Sequence, residues 1–214
     1  MGLCVIEGEK LVREHGAHAV AIFRTAAATG AGEILDEKIF RQVTNLETPE
    51  GVLAVVKIPN HGANNVTREI TFPYLVLDGV QDPGNVGTLL RTARAFGFLT
   101  VFCINCADVW SQKVLRSAMG TQFGLNVFET DHDEFAKIFH AKLAGTKLLV
   151  ADMLGGLAGG NTPQFGLALG SEGQGVGTQI RALPHEIVSI PMKSGVESLN
   201  VAVAGGILLY ELRP

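Results

Sequence analysis

Polar side chains crowd into one short stretch of the chain: Ile190-Pro-Met-Lys-Ser-Gly-Val-Glu-Ser-Leu-Asn200 sets Ser194, Glu197, Ser198 and Asn200 between an apolar run and the small, aliphatic Val201–Glu211. Two other apolar runs end in the same way. Leu75–Asp78 enters Gly79-Val-Gln-Asp-Pro-Gly-Asn85, and Leu167–Leu169 enters Gly170-Ser-Glu-Gly-Gln-Gly-Val-Gly177. Arg91, six residues after Asn85, is always charged and offers five donors, which suits a phosphate or a developing oxyanion. Taken singly, each segment also has a plainer reading. Ser198 suits the N-cap of the helix that follows, with Asn200 inside its first turn, and Asn85 suits the cap of a helix running to about Phe96. Arg91 can be a solvated residue off that helix's apolar stripe, and Glu172 an exposed residue of a tight turn. What they share is position, since several strand ends of one open sheet can converge on one crevice.

The glycine-rich turn at 170–177 lacks the lysine and hydroxyl of a P-loop and the glycine spacing of a dinucleotide fingerprint. Glu172 would repel phosphate and attract a positively charged ligand, so a sulfonium or an adenosine fits better than ATP. His-Glu-x-x-His and Gly-x-Ser-x-Gly do not occur, and the six histidines are scattered, so a metal site has little support. Cys103-x-x-Cys106 has no second pair with which to hold zinc and is read as reduced, structurally incidental thiols.

The elements that position these groups follow from apolar periodicity. From Tyr74 onward strands alternate with helices. The strands are Leu75–Asp78, Thr100–Ile104, Leu125–Phe128, Lys147–Met153, Phe165–Leu169 and Glu186–Ile190. The helices lie near 85–96, 109–119, 133–143 and 198–212. This order predicts an α/β fold with a mainly parallel sheet and helices on both faces. Residues 3–59 read as a smaller alternating unit: helix Glu7–His15, strand Ala17–Arg24, a helix 36–43 capped by Asp36, and strand Gly51–Lys57. Polar, turn-rich Pro59–Thr67 marks a boundary, giving domains 1–59 and 73–214 with a linker at 60–72.

With 47% hydrophobic residues among 214, the chain can bury a proper core. The apolar run Val201–Tyr210 is far short of the ~20 residues that cross a bilayer, and no basic-then-apolar leader opens the sequence. A cytoplasmic protein without a membrane partner is expected. The net charge of −4 argues against a general nucleic-acid clamp, so an RNA partner requires basic groups concentrated on one face. Residues 1–72 carry 7 basic and 9 acidic side chains and residues 73–214 carry 10 and 12, so neither part is a basic arm.

Three long segments, Asp82-Pro-Gly-Asn-Val-Gly-Thr-Leu-Leu-Arg-Thr-Ala-Arg-Ala-Phe-Gly97, Leu169-Gly-Ser-Glu-Gly-Gln-Gly175 and Ile190–Ala204, closely resemble in order and spacing the three motifs of the SpoU (TrmH) family of RNA ribose 2′-O-methyltransferases. The resemblance covers about residues 73–212. It implies a C-terminal deep trefoil knot, which periodicity alone could not predict, a homodimer, S-adenosylmethionine as cofactor, and no metal. By motif, Gly170, Ile190, Met192 and Leu199 would line the cofactor site, and Asn85, Arg91, Glu172, Ser198 and Asn200 fall on the catalytic positions. Residues 3–59 are similar to the family's small α/β RNA-binding domain, which resembles ribosomal RNA-binding proteins. Here its middle is shortened, Ala26–Gly32 replacing a helix. Lys10, Arg13, Arg41 and Thr48 are its candidate RNA contacts. The expected substrate is RNA, large-subunit (23S) rRNA first and tRNA second. Two other readings stay open: a non-catalytic RNA-binding assembly factor and a nucleotide-binding regulator.

Overall fold

The structure is a computed structural model that describes residues 2–44, 46–59, 67–156, 164–193, 195 and 198–214, with Leu154 described by its backbone alone. Most of the predicted linker, residues 60–66, lies outside the described residues, as do Ser194 and Glu197.

Two sheets organise the chain. The first has the order β1-β4-β2-β3, built from β1 (Leu3–Glu7), β2 (Ala19–Arg24), β3 (Glu33–Ile34) and β4 (Val52–Lys57), with α1 (Glu9–His15) and α2 (Glu37–Val43) between strands. The β1–β4 register pairs Cys4 with Val56 and Ile6 with Ala54, so these four side chains share one buried face. The sequence reading ran a helix through Glu7, whereas Glu7 ends β1 and the helix begins at Glu9. A five-residue strand with one half-buried side leaves too short a pattern to be separated from a helix start. Asp36 caps α2 as expected, its carboxylate accepting from the Lys38 amide at 2.8 Å. Residues 26–32 form turns only.

The second sheet has six strands, all paired in parallel, in the order β10-β8-β9-β5-β6-β7. They are β5 (Tyr74–Asp78), β6 (Thr100–Ile104), β7 (Asn126–Thr130), β8 (Lys147–Gly156), β9 (Phe165–Gly170) and β10 (Glu186–Val188). Because side chains alternate along a strand, each strand feeds both faces. Leu75, Leu77, Val101, Leu167 and Leu169 pack with Val86, Leu89 and Leu90 of α3 (Pro83–Ala95), Val114 and Leu115 of α4 (Gln112–Ser117), and Leu208 and Leu209 of α7 (Val201–Glu211). Tyr74, Val76, Phe102, Phe128 and Ala168 face the other way, against Phe135 and Ile138 of α5 (His132–Ile138) and Ile180 of α6 (Thr178–Arg181). Cys4, Ile6 and Leu11 join the first of these cores, so the small sheet is bound to the large one by apolar contact. Double coverage is why the strands read as continuous apolar runs.

Two caps differ from the sequence reading. Asp82, not Asn85, caps α3, and its carboxylate accepts from the Asn85 amide at 2.8 Å while Pro83 takes the first helical position. Asn200, not Ser198, caps α7, accepting from the Ala202 and Val203 amides at 2.9 and 3.3 Å. In each case the sequence offers two capping side chains within three residues. The one adjoining proline or the apolar run wins, because it alone puts a non-hydrogen-bonding or buried residue at the first helical positions. Asn85 therefore sits inside its helix and Asn200 outside its own. All three cysteines are free thiols. Cys106 donates to the Leu77 carbonyl at 3.3 Å, and its thiol is drawn below the usual range mainly by a hydrogen bond from Cys103, whose own thiol that bond and burial push up.

Candidate active site

A cleft of 360 Å³ opens at the carboxyl ends of β8, β9 and β10, a usual ligand position in an open parallel sheet. All four residues predicted to hold the cofactor, Gly170, Ile190, Met192 and Leu199, line it, and so do Glu172 and Ser198. The volume falls within the range of small-molecule sites. Its floor is apolar, from Leu169, Val188 and Leu208, and its rim is backbone and short polar groups.

Local structure explains why these loops can meet. Gly170 ends β9 where the chain turns back, with Ser171 and Gly175 bridged across the turn. A Cβ on Gly170 would overlap the Gly175 carbonyl and the Val176 amide, so only glycine lets the return strand pass. On α7, a Cβ at Gly205 would strike Leu89 of α3 and Leu169 of β9. That close approach sets the start of α7 beside the start of α3.

The consequence is a chain of side-chain hydrogen bonds linking the three motifs. The Asn85 amide nitrogen donates to Glu172 Oε1, and Asn200 Nδ2 donates to Asn85 Oδ1 at 3.2 Å. With Asn200 Oδ1 spent on capping and Asn85 Oδ1 accepting from Asn200, both carboxamides have a fixed orientation. Glu172 and Asn200 are exposed and Asn85 half-buried, so the chain forms a rim of the cleft rather than a core network.

Arg91 is the residue this cluster does not include. It is exposed on α3, six residues and about 9 Å of helix rise beyond Asn85, and it does not line the cleft. The four predicted RNA contacts are all exposed, Lys10 and Arg13 on α1, Arg41 on α2, and Thr48 in the turn before β4.

Sequence reasoning missed a buried anchor beneath the glycine-rich turn. Asp78, only 5% exposed at the end of β5, accepts from the Gly177 amide at 2.7 Å and from His132 Nε2 at 2.8 Å. Asn105 Nδ2 meets His132 Nδ1 at 3.2 Å, so both ring nitrogens of His132 have polar partners. The available signal was an aspartate closing a wholly apolar strand. Asp152 and Arg181 also line the cleft as an ion pair, for which spacing gave no cue. Among the described residues, no three His, Cys, Asp or Glu side chains group to hold a metal ion, and no helix is long and apolar enough to cross a membrane.

Comparison with known proteins bears on the same segments. Residues 73–210 match the SpoU rRNA Methylase family. The chain is 35% identical over 184 residues to the 23S rRNA (guanosine(2553)-2′-O)-methyltransferase RlmP of Bacillus subtilis, covering 84% of this chain and 71% of that one. It is 30% identical over 207 residues to the 23S rRNA (guanosine-2′-O-)-methyltransferase RlmB of Shewanella oneidensis, covering 89% and 81%. Among solved structures, a TrmH-family protein from Porphyromonas gingivalis aligns with a TM-score of 0.79 at 32% identity over 99% of this chain and 90% of that one. The SpoU methyltransferase AviRb of Streptomyces viridochromogenes, solved with AdoMet, shares the fold with a TM-score of 0.85 at 24% identity, over 99% and 89%.

Proposed function

This chain belongs to the SpoU rRNA methylase family, and from that premise we propose that it transfers a methyl group from S-adenosylmethionine to a ribose 2′-hydroxyl of RNA, with 23S rRNA as the substrate class. The observation that carries the reading is the convergence of Gly170, Glu172, Ile190, Met192, Ser198 and Leu199 on one cleft, with Asn85 and Asn200 bonded along its rim. The cleft fits the cofactor in kind: an apolar floor for the adenosine, backbone groups for its polar edges, and the carboxylate of Glu172, with the cation of Arg181 already paired to Asp152.

S-adenosylmethionine supplies an electrophilic methyl group on an already activated sulfonium leaving group, so no metal is required. The chain's own task is the nucleophile. A ribose hydroxyl forms its bond to the methyl carbon as the carbon–sulfur bond breaks, and it must shed its proton during attack. Asn85, Ser198 and Asn200 position the ribose. Arg91 does not serve as the base, because a guanidinium keeps its proton beyond pH 12; it anchors an RNA phosphate and steadies the emerging alkoxide.

The finer parts of the reading have separate support. A deep trefoil knot is supported by the path of the C-terminal segment, which leaves edge strand β10 and recrosses to seat α7 on α3 and β9. A homodimer is supported by α7. Its inner face buries Val201, Gly205 and Leu208, yet Val203, Ile207 and Tyr210 on the outer face are 52%, 39% and 50% exposed. A helix that is apolar all round belongs between two layers. Tyr210→Glu is expected to turn dimers into monomers by light scattering. Residues 1–59 act as the RNA-binding domain, with Lys10, Arg13, Arg41 and Thr48 as contacts, joined by 60–72 to the catalytic domain of 73–214. A cytoplasmic location is supported by the bacterial relatives that act on 23S rRNA.

The test is to map ribose methylation in RNA from a strain lacking this protein. Loss of a single rRNA 2′-O-methyl group supports the reading. A tRNA site lost instead moves the substrate, and an unchanged map leaves the RNA-binding assembly factor as the better account.

A further inference from the structure

A larger concavity, 790 Å³ in volume, lies away from the cofactor cleft, where the small sheet meets the C-terminal end of α3. His15, His18, Lys57, Arg94 and Phe123 are among its lining residues, and among the described residues no carboxylate lines it. In a chain of net charge −4, a groove with two fixed cations and no acid is a local reversal of sign. It meets the requirement that charge alone imposed, that cations be concentrated on one face.

The groove is built rather than merely open. Arg94 Nη1 donates to the Thr121 carbonyl at 3.0 Å, and the guanidinium lies against Gly124 where any Cβ would overlap it. The rings of His15 and Phe123 stack at 4.5 Å with 29° between their planes. Burial, with Arg94 and His18 adding to it and Glu14 opposing, holds His15 below its ordinary value of 6.5. Near neutral pH the pair is therefore an uncharged aromatic surface beside two cations.

Helix α3 joins this groove to the reaction site. Nine residues separate Asn85 from Arg94, about 13.5 Å of helix rise. Between them Thr88 and Arg91 are exposed, and α3 contains no acidic residue. From Asn85 to Arg94 a polyanion lying along α3 meets no carboxylate of that helix, and the Glu172 carboxylate at the rim is engaged by Asn85.

We propose that this groove binds the single-stranded RNA flanking the methylated ribose, with Lys57 and Arg94 contacting phosphates and the His15–Phe123 pair stacking on a base. Cationic grooves with aromatic platforms are how proteins hold unpaired strands. At the ~3.4 Å rise of a stacked strand, the groove meets the RNA about four nucleotides from the target. This inference rests on the RNA-methylation reading and extends it: Arg91 becomes an intermediate contact on a track that starts at the carboxamide rim and ends between the two sheets.

The experiment uses the full chain and a fluorescently labelled, mixed-sequence single-stranded RNA of about 16 nucleotides, with affinity measured by anisotropy over a salt series. Lys57→Ala, an exposed position at the end of β4, should weaken binding roughly tenfold for every sequence and lower the salt slope by about one. Its KM for unmodified rRNA should rise with kcat and AdoMet affinity unchanged. Arg94→Ala should show the same pattern. Because Arg94 also bonds Thr121, Lys57→Ala carries the decision if Arg94→Ala misfolds. Wild-type affinity, slope and KM in Lys57→Ala, alongside active methylation, would overturn the groove and leave the enzyme reading intact. A wild-type chain that neither binds nor methylates RNA would overturn both.

Discussion

The two sheets of this protein stand in opposite relations to their surroundings. Every residue of β5 and β6 is buried, with helices on both sides, and the three loops at that sheet's carboxyl edge meet in one hydrogen-bonded rim. In the small sheet, β2 is half-buried except at Val20, which is 57% exposed, and β3 is only two exposed residues. The difference is a division of labour. Methyl transfer needs groups held within fractions of an ångström, which a doubly covered sheet can supply. RNA handling needs free side chains over a wide surface, which a half-covered sheet leaves available.

Core substitution sharpens that contrast most. Phe102 is fully buried among Tyr74, Phe128 and Phe135, and Phe102→Ala should cost about 3–5 kcal/mol in urea unfolding. Val20→Ser in the small sheet should stay within about 0.5 kcal/mol. Equal losses would mean that the two sheets are equally constrained.

Next in size is Arg91→Ala. A group that steadies charge in the transition state and also holds an RNA phosphate should, when removed, lower kcat by about 10²–10³, raise the KM for RNA and leave AdoMet affinity in calorimetry unchanged. Undiminished turnover would remove Arg91 from the chemistry.

Gly170→Ala tests whether the turn itself forms the cofactor cleft. Its Cβ would overlap backbone atoms of Gly175 and Val176, so either the turn or β9 must shift, at a cost of about 1–3 kcal/mol. AdoMet binding should weaken at least tenfold while RNA affinity holds. Normal AdoMet affinity would show that the turn is not part of the site.

The smallest effect is expected from His15. Its folded pKa lies below the ordinary 6.5, so near and below that pH the unfolded chain binds more protons than the folded one. Stability should therefore fall as the pH drops through 6.5 toward the folded value, and His15→Gln should flatten that slope in urea titrations.

Much of the large sheet was legible because its inner strands β5, β6, β8 and β9 carry apolar runs closed by a polar or glycine-rich turn, the pattern that burial on both faces imposes. The order of strands was not, since no local signal says that β9 lies between β8 and β5. The site was legible as three motifs but not as geometry. Both Ser198 and Asn200 are capping residue types, and although the apolar run decides for Asn200, only the packing of Gly205 on Leu89 and Leu169 brings it to Asn85. Asp78 went unnoticed because its partners, His132 and Gly177, lie 54 and 99 residues away. Lys57 and Arg94 were unremarkable as single charges. Only the seating of one sheet against the other brings them to one groove.

The measurement closest to the central claim is nucleoside mass spectrometry of unmodified large-subunit rRNA incubated with the purified chain and AdoMet bearing a deuterated methyl group. Label on one 2′-O-methylated nucleoside, absent with Arg91→Ala, is the predicted result. Label on a base, or none at all from a chain that binds AdoMet, would contradict the account.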